Sequence, residues 1–203
     1  MNVSVYTRDT GAEGMRTPVF IDIEASGFGS GSYPIEVGVV LEDGLSWEAL
    51  IRPVEEWRHW DPKAAALHRL DRASLRDRGL HVAQVARRLN ELLAGKTVYS
   101  DAWGNDMAWI ALLFEKADLY QNFRIESLAS LLTEPWQRDW HGTKQQVLKS
   151  LGRTPHRAAV DARVLRETYL RLQTKHVVFD TRALTYPLHS TKRPGLMAKP
   201  SRG

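Results

Sequence analysis

The sequence predicts one α/β domain built on a mixed β-sheet. Three short β-type runs follow one another near the start of the chain, and a later amphipathic helix leads into another short strand. Strands with short connections pair antiparallel, whereas a strand that follows a crossover helix joins its sheet in parallel. A length of 203 residues and a hydrophobic content of 43% suit one domain with a sizeable core.

The two ends of the chain differ in composition from its body. We predict a disordered N-terminus over residues 1–16, a folded domain over 17–178, and a flexible basic tail over 179–203. The net charge is +4, but residues 182–203 alone hold five basic residues and no acid. The body is therefore close to neutral, so net charge by itself says little about a partner.

Composition excludes several classes of protein. The chain has no cysteine, which excludes disulfides, thiolate zinc sites and cysteine nucleophiles. No apolar run approaches membrane-spanning length, and the N-terminus lacks a signal-type apolar core. We expect a soluble, cytoplasmic protein with no membrane partner.

The first predicted strand, residues 17–24, carries two acids at its end. Side chains alternate along a strand, so Asp22 and Glu24 share a face with Phe20. A carboxylate taken out of water costs several kcal/mol unless it is paired or binds a cation. These acids therefore favour a divalent metal site, the alternative being that the strand ends at Ile21 and both acids are solvated.

The remaining elements follow from apolar periodicity and turn signals. The other predicted strands are 35–41, 45–51, 97–100 and 123–125. The predicted helices are 81–94, 106–118, 127–132, 135–151 and 156 to about 176, and residues 52–79 are irregular. Thr154 is the expected cap of the last helix, with Pro155 at its first position.

Two helices each aim an aspartate inward from their beginning. Asp106 lies four residues before Ile110 on an apolar stripe, and Asp161 lies four residues before Leu165 on the apolar stripe of the last helix. The alternative is a solvated aspartate that favours the helix dipole. We expect Asp101 to cap its helix, the alternative being an extra acid beside the metal ligands. His156, five residues before Asp161, can reach the same pocket from the entering loop as a base, or is a surface residue.

A glycine-rich loop at residues 27–32 superficially resembles a phosphate cradle. It lacks the GK[ST] ending and leads into a β-type run rather than a helix. These two departures exclude the P-loop and dinucleotide-binding interpretations.

Three motifs, in order, resemble those of the DEDDh branch of 3′-5′ exonucleases, which have a ribonuclease H-like fold. They are FIDIEASGFG at 20–29, VYSDAWGNDMAWI at 98–110 and HRAAVDA at 156–162. YPIEVGVV at 33–40 and ALHRL at 66–70 are also similar, so the resemblance spans about residues 17–176. The chain departs from the family at Ala25, commonly Thr, and at Asp101, because many relatives have an Asn four residues before the aspartate.

The resemblance implies a site and a reaction. Asp22, Glu24, Asp106 and Asp161 would hold two Mg²⁺ or Mn²⁺ ions about 3.5–4 Å apart, and oxygen ligands suit such hard cations. Asp22 would bridge the ions, Glu24 and Asp161 would lie on the first, Asp106 would act on the second through water, and His156 would be the general base. The implied activity is hydrolysis of DNA or RNA phosphodiesters from the 3′ end, releasing nucleoside 5′-monophosphates.

Substrate contacts are expected from Ala25, Phe28 and His68. Phe28 would stack on the terminal base, or alternatively cover an edge of the core. His68 would touch the substrate backbone, or alternatively serve the structure. Two other functions stay open on the sequence: a related endonuclease with the same carboxylates, and a noncatalytic nucleic-acid-binding module.

Overall fold

The computed structural model describes residues 17–152 and 154–183 and forms a mixed β-sheet flanked by helices. Most of the N-terminus and tail predicted to be disordered, residues 1–16 and 184–203, lies outside the described residues. The strands are β1 (Val19–Ala25), β2 (Pro34–Val40), β3 (Ser46–Leu50), β4 (Thr97–Ser100) and β5 (Arg124–Ser127). The helices are α1 (Pro62–His68), α2 (Arg72–Arg78), α3 (Val82–Leu93), α4 (Trp103–Ala117), α5 (Glu134–Leu151) and α6 (Ala158–Ala183).

The sheet has the order β3-β2-β1-β4-β5, and the prediction of a mixed α/β sheet is confirmed. The first three strands pair antiparallel, and β4 and β5 continue the sheet in parallel with β1. Strand β1 is central, and β1 and β4 run in the same direction. The carboxyl ends of these two parallel strands therefore meet at one edge of the sheet, where the acids of β1 lie.

The predicted alternation along β1 is confirmed. Ile21 and Ile23 belong to the large core that includes α3 and α4, whereas Phe20 packs with Leu165 of α6 on the opposite face. Burial of both faces makes β1 a rigid support for the two acids at its end. No helix of the described residues is long and apolar enough to cross a membrane.

Helix α6 lies directly on the backbone of β2. A Cβ added at Gly38 would lie 2.2 Å from the nitrogen of Ala159 and 2.3 Å from the carbonyl carbon of Ala158. At such distances a side chain at position 38 would force the backbone of α6 or β2 to shift. The beginning of α6 is thus fixed against the sheet by a contact between two backbones.

The start of α6 corrects the sequence prediction. The helix begins at Ala158, so Thr154 does not cap it and Pro155 is not its first residue. His156 has a φ of 65°, in the left-handed region, which a right-handed helix cannot include. The amide of Asp161 donates to the carbonyl of Arg157 at 2.9 Å as the helix starts. At its other end α6 extends to Ala183, five residues past the predicted end of the domain at residue 178.

Two short helices occupy the region predicted to be irregular. Asp61 caps α1 by accepting the amide of Lys63 at 2.8 Å, and Asp71 caps α2 by accepting the amide of Ser74 at 2.8 Å. Each helix has seven residues, too few to show a clear apolar period. Helix α4 also begins three residues before its predicted start, and residues 127–132 contain a 3₁₀ turn, Leu128–Leu131, in place of an α-helix.

Gly38→Ala should destabilise the protein, because the added methyl group meets backbone that cannot move without shifting α6. Overpacking of this kind costs about 1–3 kcal/mol. Gly142→Ala is the matched control, since Gly142 lies in α5 with open space around its Cβ position. The control should raise the free energy of unfolding by about 0.5–1 kcal/mol, measured by denaturant titration. Equal midpoints for Gly38→Ala and wild type would contradict the backbone contact.

Candidate active site

Four carboxylates from three elements converge at the edge of the sheet where β1 and β4 end. Asp22 and Glu24 come from β1, Asp106 from the first turn of α4, and Asp161 from the first turn of α6. They line a cavity of about 220 Å³. All eight site residues predicted from the sequence line this cavity: Asp22, Glu24, Ala25, Phe28, His68, Asp106, His156 and Asp161.

His156 enters the cavity from the loop before α6. Glu24, His156 and Asp161 each offer one possible ligand atom, and these three atoms lie within 4.8 Å of one another. The backbone amide of His156 donates to Oδ2 of Asp161 at 2.8 Å. This arrangement places an imidazole beside two carboxylates, which suits either cation binding or proton transfer.

Asp106 keeps one oxygen free. Its side chain is almost fully buried, and Oδ2 accepts a short hydrogen bond from the Ser100 hydroxyl. Oδ1 is buried and has no hydrogen-bond partner among the residues that the structure describes. A buried carboxylate oxygen without a donor is costly, so this atom fits a cation or its water. Ser100 fixes the orientation of the carboxylate.

Burial raises the pKa values of the four acids, and repulsion from neighbouring carboxylates adds to the shift at Asp22 and Glu24. Burial raises the pKa of Glu24 to about 8, with further contributions from Asp161 and Glu36. Burial raises the pKa of Asp106 to about 7. Burial, followed by the charges of Asp106 and Asp161, holds the pKa of Asp22 well above its usual range. The pKa of Asp161 is also raised by burial, partly offset by the bond from His156.

These properties fit a divalent cation site. Cations would offset the cost of burying these charged groups and the repulsion at Asp22, and would give Oδ1 of Asp106 a partner. Carboxylate oxygens select hard ions such as Mg²⁺ and Mn²⁺, and the chain offers no cysteine sulfur. The donor set therefore suits the cofactor expected from the sequence.

Asp101 does not cap α4, which corrects the sequence prediction. Its carboxylate pairs with Nζ of Lys144 on α5, and the amide of Ala102 donates instead to the Ser100 hydroxyl at 3.0 Å. The pair joins residues 43 positions apart, so local sequence carries no signal for it. Lys144 is a cation at the edge of the site that sequence reasoning missed.

Phe28 lies at the mouth of the cavity. It is 68% exposed, and its ring centroid lies 6.0 Å from that of Trp109. The base of its loop is fixed, because Nε1 of Trp109 donates to the Ser32 hydroxyl at 3.0 Å. Gly27 has a φ of 145°, and a Cβ there would lie 2.6 Å from Cβ of Asp61. An exposed aromatic on an anchored loop is suited to contact a ligand.

One ring nitrogen of His68 accepts a hydrogen bond from the backbone, and the other has no hydrogen-bond partner among the described residues. Nδ1 accepts the amide of Leu70 at 3.0 Å, so the proton of the neutral ring lies on Nε2. Burial lowers the pKa of His68, which favours that neutral form. Nε2 is buried without a partner among the described residues, and the side chain lines the cavity.

The comparisons with known proteins concern the fold. No protein-family model and no curated protein sequence matches the chain. It is similar to a solved structure of E. coli Exonuclease I in complex with a dT13 oligonucleotide, with 13% identity and a TM-score of 0.63 over 84% of this chain and 44% of that chain. The zinc ion bound ssDNA complex of the same protein has 13% identity and a TM-score of 0.62 over 84% of this chain and 43% of that chain. The complex with a 5cy-dT13 oligonucleotide has 13% identity and a TM-score of 0.60 over 85% of this chain and 44% of that chain. The chain thus spans less than half of these neighbours, and the predicted ribonuclease H-like fold is confirmed.

The stability of the metal-free protein should fall as pH rises from about 5 to about 8. The raised pKa values of Glu24 and Asp106 mean that the folded chain keeps protons that the unfolded chain releases nearer pH 4. A bound cation should reverse this loss, so Mg²⁺ or Mn²⁺ should raise the unfolding temperature more at pH 8 than at pH 5. Thermal unfolding in EDTA and in excess cation measures both effects.

Glu24→Gln removes one of the titrating groups and should flatten the pH dependence and weaken the cation response. Glu126→Gln, at an exposed position of β5, is the control and should behave like wild type. An unfolding temperature of the Glu24→Gln protein that follows wild type at every pH would contradict the assignment.

Proposed function

We propose that the chain is a metal-dependent 3′-5′ exonuclease that releases nucleoside 5′-monophosphates. The observation that carries the proposal is the convergence of Asp22, Glu24, Asp106, His156 and Asp161 in one cavity. The ribonuclease H-like fold, which the chain has in common with Exonuclease I, agrees with it. A cytoplasmic location stays a prediction from the sequence.

The four carboxylates would hold the cofactor, two Mg²⁺ or Mn²⁺ ions. When bound, such ions polarise the phosphoryl oxygens and stabilise the charge that develops on the attacking and leaving oxygens. The protein contributes rigidity: Asp22 and Glu24 lie on a strand buried on both faces, and Ser100 holds the carboxylate of Asp106. Glu24 and Asp161 lie within reach of the same His156 nitrogen.

His156 would accept the proton of the attacking water. Its side chain is exposed to the cavity from a loop, so a water molecule can reach the ring. Histidine changes charge near neutral pH, which suits a general base under physiological conditions. The neighbouring carboxylates would stabilise the imidazolium that forms.

The proposed substrate is the 3′ end of a nucleic acid strand. Phe28 offers an exposed aromatic face for the terminal base, Ala25 lies in the lining beside Glu24, and Nε2–H of His68 offers a donor for the sugar-phosphate backbone. The solved complexes of Exonuclease I contain single-stranded DNA oligonucleotides, which makes single-stranded DNA the first substrate to assay, with RNA beside it.

An oligonucleotide labelled at its 5′ end should be shortened stepwise from the 3′ end in the presence of Mg²⁺ or Mn²⁺, with mononucleotide products. Asp22→Asn and Asp106→Asn should each lower the rate by at least about 100-fold, because metal-assisted charge stabilisation supplies several kcal/mol. Asp77→Asn, at an exposed position of α2, is the control and should be fully active.

A circular single-stranded DNA should stay intact in the same assay. Cleavage of the circle would replace the exonuclease proposal with an endonuclease. Undiminished activity of Asp22→Asn would remove the carboxylate site from the reaction altogether.

His156→Ala should lower kcat by about 100- to 10,000-fold and leave KM almost unchanged, since a general base acts on turnover rather than on binding. His81→Ala is the control, because His81 does not line the cavity; it caps α3, so its loss should lower stability but not kcat. Steady-state kinetics on the oligonucleotide measure both constants. A rise in KM as large as the fall in kcat would argue against His156 as the base.

A further inference from the structure

We propose that Glu36 of β2 is a positioning residue that fixes the backbone segment carrying His156. This inference rests on the proposed function for its kinetic consequence, but its structural consequence can be measured without any activity. It concerns a fifth acid near the site whose role differs from that of the four carboxylates.

Both carboxylate oxygens of Glu36 accept hydrogen bonds from other residues of the protein. It is 1% exposed and accepts three bonds from the guanidinium of Arg157: from Nε to each oxygen at 3.1 Å, and from Nη2 to Oε1 at 2.6 Å. Oε2 also accepts the backbone amide of Ala158 at 3.0 Å. A buried carboxylate with both oxygens engaged in this way is an anchor rather than a metal ligand.

The position of Glu36 relates the anchor to the site. Glu36 and Glu24 are direct partners across the antiparallel β1–β2 pair, so their side chains lie on the same face of the sheet. Arg157 and Ala158, which Glu36 binds, follow His156 immediately. The anchor therefore connects the strand next to the carboxylates with the loop that carries the imidazole.

The His156 segment needs such an anchor. His156 has a φ of 65°, and a left-handed conformation in a residue other than glycine persists only where the surroundings impose it. Its side chain is exposed, so the direction of the ring depends on the backbone beneath it. Glu36 binds the backbone amide of Ala158, two residues after His156, and Asp161 binds the backbone amide of His156 itself.

Loss of the anchor should act on turnover. A displacement of a reacting group by about 1 Å can cost about 100-fold in rate even when the substrate still binds. Glu36→Gln keeps the shape of the side chain but removes the charge that orients the Arg157 guanidinium. Arg157 is partly exposed, so its guanidinium can be solvated and the protein can keep its fold.

The test uses the full chain and two measurements. Hydrogen exchange of the metal-free protein should show exchange at residues 156–158 at least about 10-fold faster in Glu36→Gln than in wild type, with β1 unchanged. On the oligonucleotide with Mg²⁺, kcat should fall about 10- to 100-fold and KM should stay within about twofold. Glu42→Gln is the matched control, because it removes the 2.6 Å ion pair with Lys96, and neither residue lines the cavity. It should change neither quantity.

Arg157→Gln provides a second route should Glu36→Gln fail to fold, since it leaves the bond from the Ala158 amide in place. The double variant should lose no more activity than the stronger single variant, because the two residues act as one unit. Unchanged exchange at 156–158 would overturn the proposal, and so would faster exchange with unchanged kcat. A wild-type chain without nuclease activity would instead refute the proposed function, and the exchange measurement would still decide whether Glu36 fixes the segment.

Discussion

Burial of four carboxylates in one small cavity is the constraint on which the architecture depends. Burial raises the pKa values of all four acids, and charges of neighbouring site acids add to the shift at Asp22 and Glu24. Bringing the four together therefore opposes folding. The structure overcomes this cost by placing the acids on its most rigid parts. Two lie on a strand buried on both faces, and two lie in the first turns of helices, where the dipole favours negative charge.

Different interactions hold the different parts of the site. The hydrophobic core fixes the carboxylates, the ion pair of Glu36 with Arg157 fixes the loop of His156, and the bond from Trp109 to Ser32 fixes the loop of Phe28. The close contact of Gly38 with the start of α6 connects the core that holds the carboxylates with the ion pair that holds the His156 loop. It does so because it sets the distance between β2 and the helix that carries Asp161. The site is therefore assembled by tertiary contacts between segments far apart in sequence.

The sequence predicted the parts of the structure that local pattern determines. The alternation along β1 aimed Asp22 and Glu24 to one face, and the stripes of two helices aimed Asp106 and Asp161 inward. The order of three motifs then joined these acids with His156 in one site. The sequence did not predict contacts between segments that lie far apart along the chain. The start of α6 depends on Glu36, more than 120 residues away, and the partner of Asp101 is Lys144 on another helix. Helices α1 and α2 were overlooked because seven residues show almost no period.

We expect these acids to form one divalent cation centre, a claim that calorimetric titration of Mn²⁺ into the metal-stripped chain can test. Two Mn²⁺ ions should bind per chain, with tighter binding at pH 8 than at pH 6 because protons compete for the carboxylates whose pKa values are raised. Asp22→Asn should abolish at least one of the two binding events. No Mn²⁺ binding by wild type, or identical binding by the Asp22→Asn protein, would contradict the claim.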